Sequence, residues 1–76
     1  MRESMYVDEY LEDNNRLGLG RGRTVGTFLS YVLRGTAREY SGKYQRALEN
    51  ALERRVRDGR AFVGASAMGR TAYYSL

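Results

Sequence analysis

The chain has 76 residues, 42% hydrophobic and 29% charged, with a net charge of +4 and no proline, cysteine, histidine or tryptophan. That inventory excludes disulfides, ordinary zinc, haem or iron–sulfur centres, and Ser-His-Asp or Cys-His catalysis. A chain this short buries only about 60% of its unfolded surface, so one small domain is expected, with a homodimer as the remaining route to stability. No apolar run approaches the ~20 residues of a membrane span, and the N-terminus MRESMYVDEY is acidic. A soluble, cytoplasmic protein without a cofactor is the expectation.

The charge is unevenly spread. Residues 1–15 carry Arg2 against five carboxylates, a balance of −4, while residues 16–76 carry twelve basic groups against four acidic ones, a balance of +8. An acidic head on a basic body suggests a body built for a polyanion, with the head held away from it. Lys43 is the only lysine among the 13 basic residues. Arginine pairs bidentately with phosphate and with guanine edges, although the codon usage of a GC-rich genome produces the same bias.

The first predicted element is a short amphipathic helix over 4–14, with Ser4 as N-cap and acidic residues in its first turns. Tyr6, Val7, Tyr10 and Leu11 share one face. That face is expected to dock on the chain's own body or on a second subunit, with Tyr6, Tyr10 and Leu11 as the dimer or partner interface.

Residues 15–23 (NRLGLGRGR) break the helical pattern with Gly18, Gly20 and Gly22 at alternate positions, which predicts a mobile connector. The glycine spacing fits neither a phosphate-binding loop nor a dinucleotide fingerprint. Arg21-Gly22-Arg23 resembles the core of an AT-hook, a short arm that lies in a narrow minor groove. Thr24 stands where that motif has proline, so the connector is the favoured reading and a DNA-touching arm the alternative.

Residues 24–34 form the clearest helix: Thr24 caps it, Val25, Phe28, Leu29, Val32 and Leu33 make a core stripe, and Gly35 stops it. Thr36-x-x-Glu39 is a capping box that predicts a second short helix over 36–40. A long helix then runs from about 42 to 58, with Tyr44, Ala47, Leu48, Ala51, Leu52 and Val56 inward and Asp58-Gly59 as terminator. Its opposite face gathers Lys43, Arg46, Asn50, Glu53 and Arg57. An ordinary solvated face has the same pattern, but Arg, Lys and Asn are also the residues that read guanine and adenine edges.

Residues 60–76 predict a β-hairpin, Ala61–Ala65 and Arg70–Ser75 around a Ser66–Gly69 turn. Strand alternation with Tyr74 and Leu76 inward leaves Thr71, Tyr73 and Ser75 outward. Paired tyrosines also occur in rolling-circle replication enzymes, but those need a histidine metal site that this chain cannot build.

Leu48-x3-Leu52-x3-Val56-x2-Gly59-x2-Phe62, followed by Gly69-Arg70-x2-Tyr73-Tyr74-x-Leu76, resembles the second half of winged-helix repressors. The likeness covers roughly the last 35 residues and, more loosely, 24–40. It implies a mainly α chain with a C-terminal β-hairpin, an α+β winged helix-turn-helix, in which 24–34 is either the first or the second helix of the motif. The helix at 42–58 is longer than the family's usual recognition helix, and 36–40 is compressed.

By that resemblance, Lys43, Arg46 and Asn50 enter the major groove with Gln45 near its edge, and Arg70 reaches the minor groove or backbone. Arg38, Arg57 and Arg60 contact phosphates, and Tyr40 and Tyr44 serve as core or reach a phosphate. Two functions follow. One is a small, sequence-specific transcriptional regulator of double-stranded DNA, acting as a dimer. The other is a protein-interaction adaptor that uses its N-terminal helix and its tyrosines. No convergent acid/base pair or metal set supports an enzyme.

Overall fold

A computed structural model describes residues 3–34 and 42–76, with side chains from Tyr6 onward in the first segment. Helix α1 spans Glu3–Leu17. Val7, Tyr10, Leu11 and Asn14 recur at i, i+3, i+4 and i+7, and all four are buried. The helix runs three residues beyond the predicted end because Gly18 is the first position whose backbone leaves it, at φ +104°, with its N–H on the Asn14 carbonyl at 2.9 Å.

Helix α2, Val25–Val32, starts where expected: the Thr24 hydroxyl accepts from Thr27 N–H at 3.2 Å. It stops short of Arg34, because Leu33 closes it with its N–H on the Leu29 carbonyl at 2.9 Å. Gly35 and the predicted helix 36–40, with Thr36, Arg38, Glu39 and Tyr40, lie outside the described residues.

Helix α3, Gly42–Arg57, ends in a Schellman arrangement: Gly59 lies at φ +73°, its N–H reaches the Val56 carbonyl, and Arg60 N–H reaches Arg55. Strands β1, Ala61–Ala65, and β2, Thr71–Ser75, pair antiparallel in the register Ala61↔Ser75 through Ala65↔Thr71. The described residues thus make an α+β domain of three helices and a C-terminal hairpin.

The core joins Val7, Tyr10 and Leu11 of α1, Val25, Phe28 and Leu29 of α2 with Leu33 just beyond its end, Leu48 and Leu52 of α3, and Ala61 and Tyr73 of the hairpin. Tyr10 meets Phe28 edge-to-face at 5.1 Å. These contacts bear on three expectations.

First, Tyr10 and Leu11 are 0% and 4% exposed inside their own domain, and Tyr6 is half-buried against Phe28. Tyr10 and Leu11 are thus spent inside the domain, and of the two expected placements the helix takes the one on its own body. Second, the acidic head is ion-paired within the domain, in part with the basic body. Asp8 pairs with Arg55 at 2.9 Å, and Asp13 pairs with both Arg16 and Arg23.

Third, the glycine-rich segment is no mobile connector. Gly20 N–H and Gly22 N–H both donate to the Tyr74 hydroxyl, at 3.1 and 3.0 Å, and that hydroxyl donates to the Ala65 carbonyl at 2.6 Å. Gly22 also bridges Ser66 like a one-residue strand, its carbonyl accepting from Ala67 N–H at 3.0 Å. A Cβ at Gly22 would lie 2.8 Å from both Asn14 Cγ and the Tyr74 hydroxyl, so only glycine permits the approach.

The hairpin is consequently covered on both sides. Tyr74 is buried under the glycine-rich segment, and Tyr73, expected outward, is buried toward the helices. Leu76, expected inward, is 75% exposed. Among the described residues no helix is long and apolar enough to cross a membrane.

Candidate nucleic-acid interface

The packing of α3 decides which of its polar residues meet solvent. Leu48 and Leu52 point into the core, so the opposite side faces water. Lys43, Arg46, Asn50, Arg54 and Arg57 are all exposed. At ~100° per residue these five fall within an arc of about 80°, and at ~1.5 Å per residue they extend for about 21 Å.

Arg54 was missed by the sequence reading, which placed Glu53 in this row. In the fold, Glu53 turns toward the hairpin, where its carboxylate accepts from the Tyr73 hydroxyl at 2.7 Å. The i+4 step from Asn50 to Arg54 was the available signal. Burial, then the hydrogen bond and charge of Glu53, push the Tyr73 phenol well above its ordinary range.

Gln45 does not join the row. It is half-buried, donates to Glu49 at 3.3 Å, and lies against Gly26 of α2. Together Gln45, Glu49, Glu53, Ser30, Arg70 and Tyr73 help line an open groove of about 900 Å³ between α3, the start of α2 and the hairpin. Its two carboxylates, Glu49 and Glu53, oppose an anion on its floor. Asn50 lines both the groove and the outer patch formed with Lys43 and Arg46.

Arg70 lines the same groove from the hairpin side and is exposed. Arg57 and Arg60 are exposed around the end of α3, where cations also suit the helix's negative terminus. Arg46, Arg54, Arg57, Arg60 and Arg70 form no ion pair among the described residues, whereas Arg16, Arg23 and Arg55 do.

The basic-arm reading of the loop fails for Arg23. Its guanidinium pairs with Asp13 and lies 5.3 Å from the centre of the Tyr31 ring, while its carbonyl accepts from Tyr10 and Asn14. Arg21 is exposed, while Gly22 beside it donates to the Tyr74 hydroxyl and holds the segment against the hairpin. Arg38 lies outside the described residues.

The structure thus brings Lys43, Arg46, Asn50, Arg54 and Arg57 into one row, places Asn50 and Arg70 on one groove, and sets Gln45 apart from the row. Among the described residues, no group of three or more Asp or Glu side chains is placed to hold a metal. Comparisons with family models, curated proteins and solved structures found no match to this chain.

Proposed function

We propose that the chain is a small, non-enzymatic domain that binds double-stranded DNA in the winged-helix manner, with α3 in the major groove and the hairpin as wing. The observation that carries this reading is the exposed row Lys43–Arg46–Asn50–Arg54–Arg57 directly opposite the buried Leu48 and Leu52. In this reading α1 is the first helix of the motif and α2 the second. The pinned loop 18–23 stands in for a small strand through its Gly22–Ser66 bridge.

Arg46 and Asn50 read base edges, while Arg54, Arg57 and Arg60 hold phosphates and Arg70 reaches the minor groove or backbone. A homodimer on a two-fold site, acting in transcriptional regulation, completes the proposal.

The test is a titration of labelled random-sequence duplex at low and near-physiological salt, with mass measured in parallel. Three phosphate contacts per chain, about six in the dimer, give a log–log salt slope of about −5. Asn50→Ala then relaxes sequence preference, and Arg57→Ala weakens all sequences alike. Absence of binding at low salt, or binding indifferent to salt, overturns the proposal.

A protein partner is the second reading. Its support is a second groove, between α1 and α2, where exposed Tyr31 lies with Glu9 and Glu12 as well as Arg16 and Arg23. Exposed aromatic and carboxylate groups together suit a basic segment. Tyr31→Ala would abolish that contact and leave DNA binding unchanged.

A further inference from the structure

The hairpin turn carries a side chain that the function above does not use. Met68 is 84% exposed, more than any other large hydrophobic residue among those described. It stands at the tip of a turn that hydrogen bonds hold tightly. Ser66 N–H donates to the Arg70 carbonyl at 2.7 Å, Gly69 N–H to the Ser66 carbonyl at 2.9 Å, and Arg70 N–H to the Ser66 hydroxyl at 3.0 Å.

Ala67 N–H ties the same turn to Gly22 on the body, and Gly69 takes the φ of +76° that the tight return needs. The turn therefore presents Met68 from a backbone fixed on both sides, so little order has to be gained on contact.

The chemistry of the tip is specific. From Ala61 to Gly69 the hairpin holds no charge, and the first cation is Arg70, which lines the groove shared with Asn50. Here an unbranched, polarisable thioether leads and the guanidinium follows two residues behind. Apolar wedges next to arginine are how minor-groove binders part base steps and bend a duplex.

We propose that Met68 is such a wedge: placed in the minor groove by Arg70, it presses between adjacent base pairs and bends the DNA. The inference rests on the duplex-binding reading of α3 and adds what the wing does there. Pyrimidine–purine steps open most readily, so the wedge confers a preference for TA or CA/TG steps beside the α3 site.

The experiment uses the full chain and end-labelled duplexes of about 30 bp with a central TA step, read by energy transfer between the ends. Wild type should shorten the end-to-end distance and favour the TA duplex over a matched A-tract several-fold. Met68→Ala should still bind, more weakly, and leave the duplex straight. Met68→Lys separates a wedge from a phosphate contact, because it should restore affinity through its charge without restoring the bend.

Equal bending and equal step preference by wild type and Met68→Ala would overturn the wedge while leaving duplex binding intact. A wild-type protein that binds no duplex at low salt would overturn the α3 reading and the wedge with it. Loss of a protein contact instead, with DNA behaviour unchanged in Met68→Ala, would assign the tip to a protein partner and also overturn the wedge.

Discussion

Asn14 and Asn50 carry the same amide in opposite circumstances. Asn14 is 0% exposed: its amide nitrogen donates to the Tyr73 carbonyl at 2.9 Å and to Arg23 at 3.3 Å, and its oxygen accepts from Arg23 N–H at 2.9 Å. It joins α1, the glycine-rich segment and β2. Asn50 faces solvent between Arg46 and Arg54 on α3. The arginines divide in the same way, with Arg16, Arg23 and Arg55 on carboxylates and Arg46 and Arg54 on none among the described residues. Where polar groups are internally partnered they build the fold. Where a row of them is left facing water, it is available to something else.

The strongest way to break this division is Asn14→Ala. It orphans the Tyr73 carbonyl and the Arg23 N–H together, so unfolding free energy should fall by about 3 kcal/mol, seen as a lowered urea midpoint. A loss below about 0.5 kcal/mol would mean that the amide is no more structural than a surface residue.

Next in size is Tyr74→Phe, which removes the hydroxyl serving Gly20, Gly22 and Ala65 and should cost about 2 kcal/mol. Gly22→Ala should cost about 1–3 kcal/mol by forcing a methyl into Asn14 and Tyr74. Both variants should also speed amide exchange or proteolysis in 18–23, because the same contacts hold that segment.

Alkali provides a gentler probe of the buried side. Burial is the largest cause raising the phenols of Tyr10 and Tyr73, and the Glu53 carboxylate adds to it for Tyr73. Protons retained by the folded state above the unfolded value mean that stability is complete below a pH of about 10 and falls as pH rises beyond it. Tyr73→Phe should make that alkaline fall shallower; an unchanged slope would place the titration elsewhere.

Smallest in stability are changes on the exposed row. Arg46→Ala with Arg54→Ala should alter unfolding free energy by no more than about 0.5 kcal/mol. If α3 holds DNA, the same pair removes one phosphate contact per chain, at Arg54, and reduces the salt slope by about 1 per chain, while the loss of Arg46 relaxes sequence preference. A large stability loss would show that the row belongs to the scaffold after all.

Local chemistry alone located most elements. Thr24 with Val25, Phe28 and Leu29 marked the start and inner face of α2. Leu48, Leu52 and Gly59 marked the inner face and end of α3, and Gly69 marked the hairpin turn. Lys43, Arg46 and Asn50 were legible as one face because helix period is a local property. Arg54 escaped notice because Glu53 competed for the same row, and only its bond to Tyr73, 20 residues away, turns it aside.

What the sequence by itself determined about this protein is therefore its helices, its hairpin, the absence of histidine and cysteine chemistry, and the polar character of one α3 face. These depend on neighbours within a few residues, through periodicity, capping and turn conformation. Only the tertiary structure decided that α1 is core rather than appendage, that Arg23 is spent on Asp13, and that three glycines make a seam rather than a hinge. Each of those outcomes depends on a partner far along the chain, such as Tyr74 beneath Gly22 or Tyr73 beside Asn14. A glycine's small size permits close packing and free movement alike, and only the group that arrives beside it selects between them.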